Sequence, residues 1–100
     1  MLRIARTKVE QVILFGHELE RAEGELRGLI DGLDEDEAID LIALLWIGRE
    51  SFGPDELEEA RATAAAEATT PTADYLLGTP HFPDHLEAGL EMLGVEAVDD

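Results

Sequence analysis

DEAIDLIALLWIGR, residues Asp36–Arg49, is the stretch of sequence that decides the fold. Between Ala38 and Ile47 its only polar residue is Asp40. A helix that is apolar on nearly every side lies inside a protein. About ten apolar residues are too few to span a membrane, which takes roughly 20. The pattern therefore predicts a buried central helix, over about residues 35–48, that the other segments cover.

An apolar stripe precedes the central helix, with alternating spacings of three and four residues. Such a seam is typical of paired helices and coiled coils. Glycines interrupt it, and each costs about 1 kcal/mol relative to alanine inside a helix. One long helix over 7–33 and two helices broken near Glu23–Glu25 both fit this pattern. The stripe consists of Val12, Phe15, Leu19, Ala22, Leu26, Leu29 and Leu33.

The same stripe suggests a contact between two copies of the chain. It is longer than one short partner helix needs, so part of it is available to seal a homodimer. The residues expected at that interface are Val12, Phe15, Leu19, Leu26 and Leu29.

Capping residues and prolines predict where the helices begin. Asp34 and Glu37 form a capping box just before the central helix. Pro54, Pro71 and Pro83 suit the first turns of three further helices. The run of acids at the start of the central helix is explained by capping, in preference to acid–base or metal chemistry.

The predicted fold is all-α, because no segment of any length alternates as a strand does. We expect five or six helices around the central helix, in a single helical domain over residues 1–100. Residues 95–100 are expected to form a frayed acidic tail.

The charge is extreme: 24 Asp and Glu oppose 7 Lys and Arg, a net charge of −17. Direct binding to nucleic acid or to an anionic membrane is not expected, because basic side chains drive phosphate binding. Three interpretations remain: an ordinary solvated acidic surface, which we favour, adaptation to high salt, and a surface that docks on a basic protein partner. The absence of cysteine and of a recognisable secretory signal fits a cytoplasmic protein.

Few residues suggest chemistry. His81 and His85 are four apart, a spacing that suits a metal on a helix. Pro83 between them argues against a continuous helix, so exposed or hydrogen-bonded histidines are favoured. No nucleophile elbow or phosphate-binding loop is present. The sequence therefore predicts no catalytic residue, no metal and no cofactor.

Three blocks carry a resemblance to a known family. They are LIALLWIGR (41–49), TADYLLGTP (72–80) and DHLEAGLEMLG (84–94). In this order they resemble an uncharacterised bacterial family catalogued as a domain of unknown function (serial number 3775), matched from about Glu25 to Gly94. The family pattern has glycine where this chain has Glu50. The resemblance implies a small helical domain and supplies no activity.

Two functions from different classes follow. The first is a small cytoplasmic interaction or regulatory module. The second is a small-molecule-binding or enzymatic domain. Clustering of the candidate polar residues in one apolar pocket would favour the second function, and their dispersal the first. The candidate functional cluster is Arg49, Tyr75, His81, Asp84 and His85, and the residues expected to be structural are Trp46, Gly48, Gly78 and Pro80.

Overall fold

A computed structural model describes residues 2–67 and 70–94, and within them the chain forms six α-helices, a short 3₁₀-helix and no strand. The predicted all-α fold is confirmed. The expected tail, 95–100, lies outside the described residues. The α-helices are α1 (Arg6–His17), α2 (Leu19–Asp31), α3 (Glu35–Gly48), α4 (Leu57–Ala66), α5 (Thr72–Leu77) and α6 (Phe82–Met92), and the 3₁₀-helix Pro54–Glu56 precedes α4.

Helix α3 is the central helix, with the predicted bounds. The capping box is present: the Glu37 N–H donates to Asp34 Oδ1 at 2.8 Å, and the Asp34 N–H donates to Glu37 Oε1 at 3.0 Å. Helices α4 and α6 pack along α3 and cover it. Its fully buried apolar residues are Leu41, Ala43, Leu44, Leu45 and Ile47. No described helix is long and apolar enough to cross a membrane.

The N-terminal stripe forms two helices, but the break lies at Glu18 and not near Glu23–Glu25. Next to the break, the end of α1 makes a close tertiary contact. A Cβ on Gly16 would stand 2.6 Å from the Pro83 ring and 2.9 Å from that of Phe82, so the end of α1 packs tightly against the start of α6. Helix α2 then turns back along α1. The glycines within α2 face open space and are tolerated there.

Most of the apolar stripe is used inside a single chain. Val12 and Leu26 are fully buried in the core. Phe15, Leu19 and Leu29 are partly buried against that core. A homodimer through these five side chains stays a prediction, and it would have to use their exposed edges. Sedimentation at micromolar concentration tests it.

The later helices begin within a residue or two of the predicted positions. Pro54 begins the 3₁₀-helix, and α4 follows at Leu57. Pro71 is the residue before α5, and not its first residue as the sequence suggested. Pro83 lies in the first turn of α6. Small shifts of this kind are usual at helix ends, where the first turn is often 3₁₀.

Candidate functional site

An apolar groove of about 650 Å³ runs along one side of α3, between that helix, the end of α4 and α5. Ala38, Ile39, Ile42 and Trp46 form the α3 side of the groove and follow one another at helical spacing. The opposite side includes Ala64, Thr72 and Tyr75, and two exposed acids, Glu35 and Glu67, also line the groove. The groove thus combines an apolar lining with negative charge.

Trp46 is held in this groove by Tyr75 and Phe52. Its indole N–H donates to the Tyr75 hydroxyl at 2.8 Å, and its ring stacks on Phe52 with centroids 5.8 Å apart. Only 8% of Trp46 is exposed, which confirms the predicted core position. An indole N–H can only donate, so the hydroxyl is the acceptor and its own proton is left to donate elsewhere. The Tyr75 hydroxyl therefore offers a donor at the apolar wall of the groove.

A second, smaller cleft of about 360 Å³ lies where α1 ends beside the start of α6. His17, His81 and Asp84 all line it. His17 Nε2 lies 3.9 Å from Asp84 Oδ1, and both side chains are exposed. His81 has a left-handed backbone (φ 59°) and stands just before α6. His81 and His85 are therefore not on one continuous helix, in line with the argument from Pro83.

One group in the described ranges has a geometry that could hold a metal ion. The ligand atoms of His17, Asp84 and Glu87 lie within 4.8 Å of one another. All three residues are exposed, and exposed carboxylates commonly lie this close without an ion. Sequence reasoning missed the group because His17 is far from Asp84 along the chain.

The predicted functional cluster is divided among several places. Tyr75 lines the apolar groove, whereas His81 and Asp84 line the smaller cleft. Arg49 lies just beyond the end of α3, where its guanidinium donates to Ser51 Oγ at 3.3 Å. Arg49 and His85 line neither of the two cavities. The five residues therefore do not surround one site, and a chemical role for them stays a prediction.

The residues expected to be structural lie at several places, and their shared role as a structural motif stays a prediction. Trp46 is in the core, and Gly48 ends α3 in contact with α6. Gly78 follows the last residue of α5, as predicted. Pro80 lines the smaller cleft.

The buried charge of Asp40 is the main feature that sequence reasoning did not develop. The carboxylate is completely buried, and two arginines bind it. Arg3 donates from its main-chain N–H and its guanidinium, and Arg61 Nε donates at 2.8 Å. Burial alone would raise the pKa of this carboxyl, but the hydrogen bonds from Arg3 and Arg61 outweigh it and hold the pKa below its ordinary value. The sequence did offer one sign of this buried charge, because Asp40 is the only polar residue in an otherwise apolar stretch of α3.

A comparison with family models finds a match for most of the chain. The model described as "Protein of unknown function (DUF3775)" matches residues 23–95. The chain belongs to this family. The DUF3775 match covers the groove and the α6 side of the smaller cleft, whereas His17 and all of α1 precede it. Searches of curated proteins and of solved structures found no match.

Proposed function

We propose that this DUF3775 protein is a small cytoplasmic protein-interaction module, and that the apolar groove along α3 is its binding surface. The groove is the observation that carries the proposal. An apolar surface rimmed by polar and charged side chains is typical of a surface that binds another molecule. The adjoining acids give the site a charge that a partner can complement.

The dispersal of the candidate polar residues supports binding over catalysis. Acid–base and nucleophilic catalysis need their groups within hydrogen-bond reach of one another and of a substrate. Tyr75 stands in the groove with Trp46 as its hydrogen-bond partner. His81, Asp84, Arg49 and His85 lie elsewhere. Dispersal of these residues favours the interaction module over an enzyme or a ligand-binding domain.

Site-specific cross-linking tests the proposal. A photoreactive side chain at Ala66, which is exposed and lines the groove, should form an adduct with a protein in cells of the source organism. The same group at Gly24, which faces open space on α2, should not. The captured protein, once purified, should bind wild type and lose that binding to Ile42→Glu, with circular dichroism confirming that the variant is folded.

Two results would contradict the proposed function. If Ala66 gives no protein adduct and native mass spectrometry of the purified protein shows a bound metabolite, the small-molecule-binding alternative is correct. Adducts of equal yield from Ala66 and Gly24 would show that the groove is not the binding surface.

A further inference from the structure

We infer that the groove binds an amphipathic, basic helix of about three turns from a partner protein. The inference rests on the proposed function and specifies the partner. Its support comes from the length of the groove, the small residues within it, and the charge around it.

The length of the groove matches a short helix. Its lining along α3 extends from Glu35 to Trp46. At 1.5 Å per residue these positions span about 16 Å, or about three helical turns. Ile39 and Ile42 lie between them and are only half buried, so they still have apolar surface to cover. A partner helix with apolar residues at i, i+3 or i+4, and i+7 presents a stripe of the same length.

Small side chains permit a close approach. Ala38 on α3 and Ala64 on α4 both line the groove, from its two sides. Packed helix axes lie about 8–10 Å apart, and the side chains at the contact set the distance. The apolar residues of an incoming helix can therefore approach α3 closely beside the end of α4. The Tyr75 hydroxyl, which accepts from Trp46 and keeps its own proton to donate, is placed to bind a main-chain carbonyl of that helix.

The charge determines which helix fits. Neither Glu35 nor Glu67 is ion-paired within the part of the chain that the structure describes. A basic helix would supply the missing cations. A second copy of this chain, with a net charge of −17, is a poor occupant. Like charges brought together at an interface disfavour binding.

Designed peptides test the inference with the full-length chain. The first peptide is a 14-residue helix without tryptophan, with leucines at i, i+3, i+4 and i+7 and lysines elsewhere. The second has glutamate in place of lysine, and the third has the composition of the first scrambled so that the leucines share no face. Trp46 is the only tryptophan and lines the groove, so its emission reports occupancy, and anisotropy of a labelled peptide gives the affinity. The first peptide should bind at least about tenfold more tightly than either of the others.

A matched pair of variants tests the two acids. Glu35→Lys with Glu67→Lys should weaken the basic peptide and strengthen the acidic one. Glu20→Lys with Glu25→Lys changes the net charge equally at two exposed positions on α2, and should leave that preference in place. Thermal melts confirm that both variants are folded. Equal weakening by the two pairs would show attraction to overall charge alone and would overturn the inference.

The two proposals fail in different ways. If none of the peptides changes Trp46 emission but cross-linking at Ala66 still captures a groove-dependent protein, the interaction module stands and the basic-helix inference is wrong. The inference is also wrong if the basic and acidic peptides bind equally. If neither peptides nor cellular proteins reach the groove, the proposed function itself fails.

Discussion

Gly48 packs directly against the main chain of His85. A Cβ placed on Gly48 would stand 1.6 Å from the His85 carbonyl oxygen. Gly89 makes the reciprocal approach, because a Cβ there would stand 2.6 Å from the carbonyl oxygen of Leu44. Helices α3 and α6 therefore cross with their backbones in contact, and a glycine on each side makes this distance attainable.

Glycine-to-alanine substitution should have opposite effects on stability at the crossing and away from it. Gly48→Ala should lower the free energy of unfolding by about 3 kcal/mol or more, because overpacking costs about 1–3 kcal/mol and here the obstacle is rigid backbone. Gly28→Ala, in α2 with nothing within 4 Å, should raise it by about 0.5–1 kcal/mol through helix propensity. Urea denaturation measures both. A Gly48→Ala protein as stable as wild type would mean that the helices cross farther apart.

Glu50 is predicted to be a strained residue. Its backbone is left-handed (φ 67°), directly after the residue that caps α3, and the Ser51 N–H donates back to the Trp46 carbonyl at 2.9 Å. Glycine is the usual residue at this point of a helix end, and it is the residue that the family resemblance leads one to expect. Glu50→Gly should stabilise the fold by about 1 kcal/mol, since a side chain in this conformation costs about 1–2 kcal/mol. Glu50→Gln keeps the strain and should show little of the gain in the same thermal melts.

The Trp46–Tyr75 hydrogen bond gives a third prediction. Tyr75→Phe removes the acceptor of a buried indole N–H, so the free energy of unfolding should fall by about 1–3 kcal/mol. A double-mutant cycle with Trp46→Phe, which removes the donor, should show that the two losses are not additive. Additive losses would mean that the hydrogen bond contributes nothing to stability.

The buried carboxylate of Asp40 predicts a specific dependence on pH. Its pKa is lower in the folded chain than in the unfolded one, so its contribution is complete above the unfolded value of about 3.9 and is lost as the pH falls through the folded pKa. At pH 7, Asp40→Asn should be less stable than wild type. The difference should shrink as the pH falls below about 4. Glu37, whose pKa is also lowered, mainly by its hydrogen bond with Lys8, titrates in both proteins, so the difference isolates Asp40. A difference that stays constant from pH 7 to pH 3 would contradict this.

Salt separates the interpretations of the acidic surface. Five of the seven Lys and Arg residues are ion-paired among the described residues, yet the net charge of −17 leaves strong repulsion. The melting temperature should rise with sodium chloride, because the Debye length falls from about 10 Å at 0.1 M to about 3 Å at 1 M. A continued rise above about 1 M would indicate adaptation to high salt. A fall on the first addition of salt would show that the local ion pairs outweigh the repulsion.

The fold could be predicted from the sequence where the composition of a single segment requires that segment to be buried. The apolar run from Ala38 to Ile47 has to be buried, and the capping box at Asp34 marks where its helix begins. The break at Glu18 could not be predicted in this way, because no capping residue or proline marks it in the sequence. Helix propensity alone pointed to the glycines of α2, which turned out to face open space.

The candidate site was less predictable than the fold, since it depends on how separate segments meet. The groove exists because α4 and α5 leave one side of α3 incompletely covered. Only two residues of the groove were singled out from the sequence: Trp46 as a core residue and Tyr75 as a candidate functional residue. In the structure they are hydrogen-bonded to each other. The partners of Asp40 lie 37 and 21 residues away, and no local pattern connects them.

The crossing of α3 and α6 also matters during synthesis. The ribosome completes α3 well before it makes α6, because chains grow at about 5–20 residues per second and more than 30 residues separate the two helices. For those seconds the most apolar helix of the chain lacks the partner that approaches its backbone most closely. The nascent chain then exposes apolar surface that chaperones recognise and that favours aggregation. The speed of translation between Gly48 and Gly89 therefore sets how long this apolar surface stays exposed.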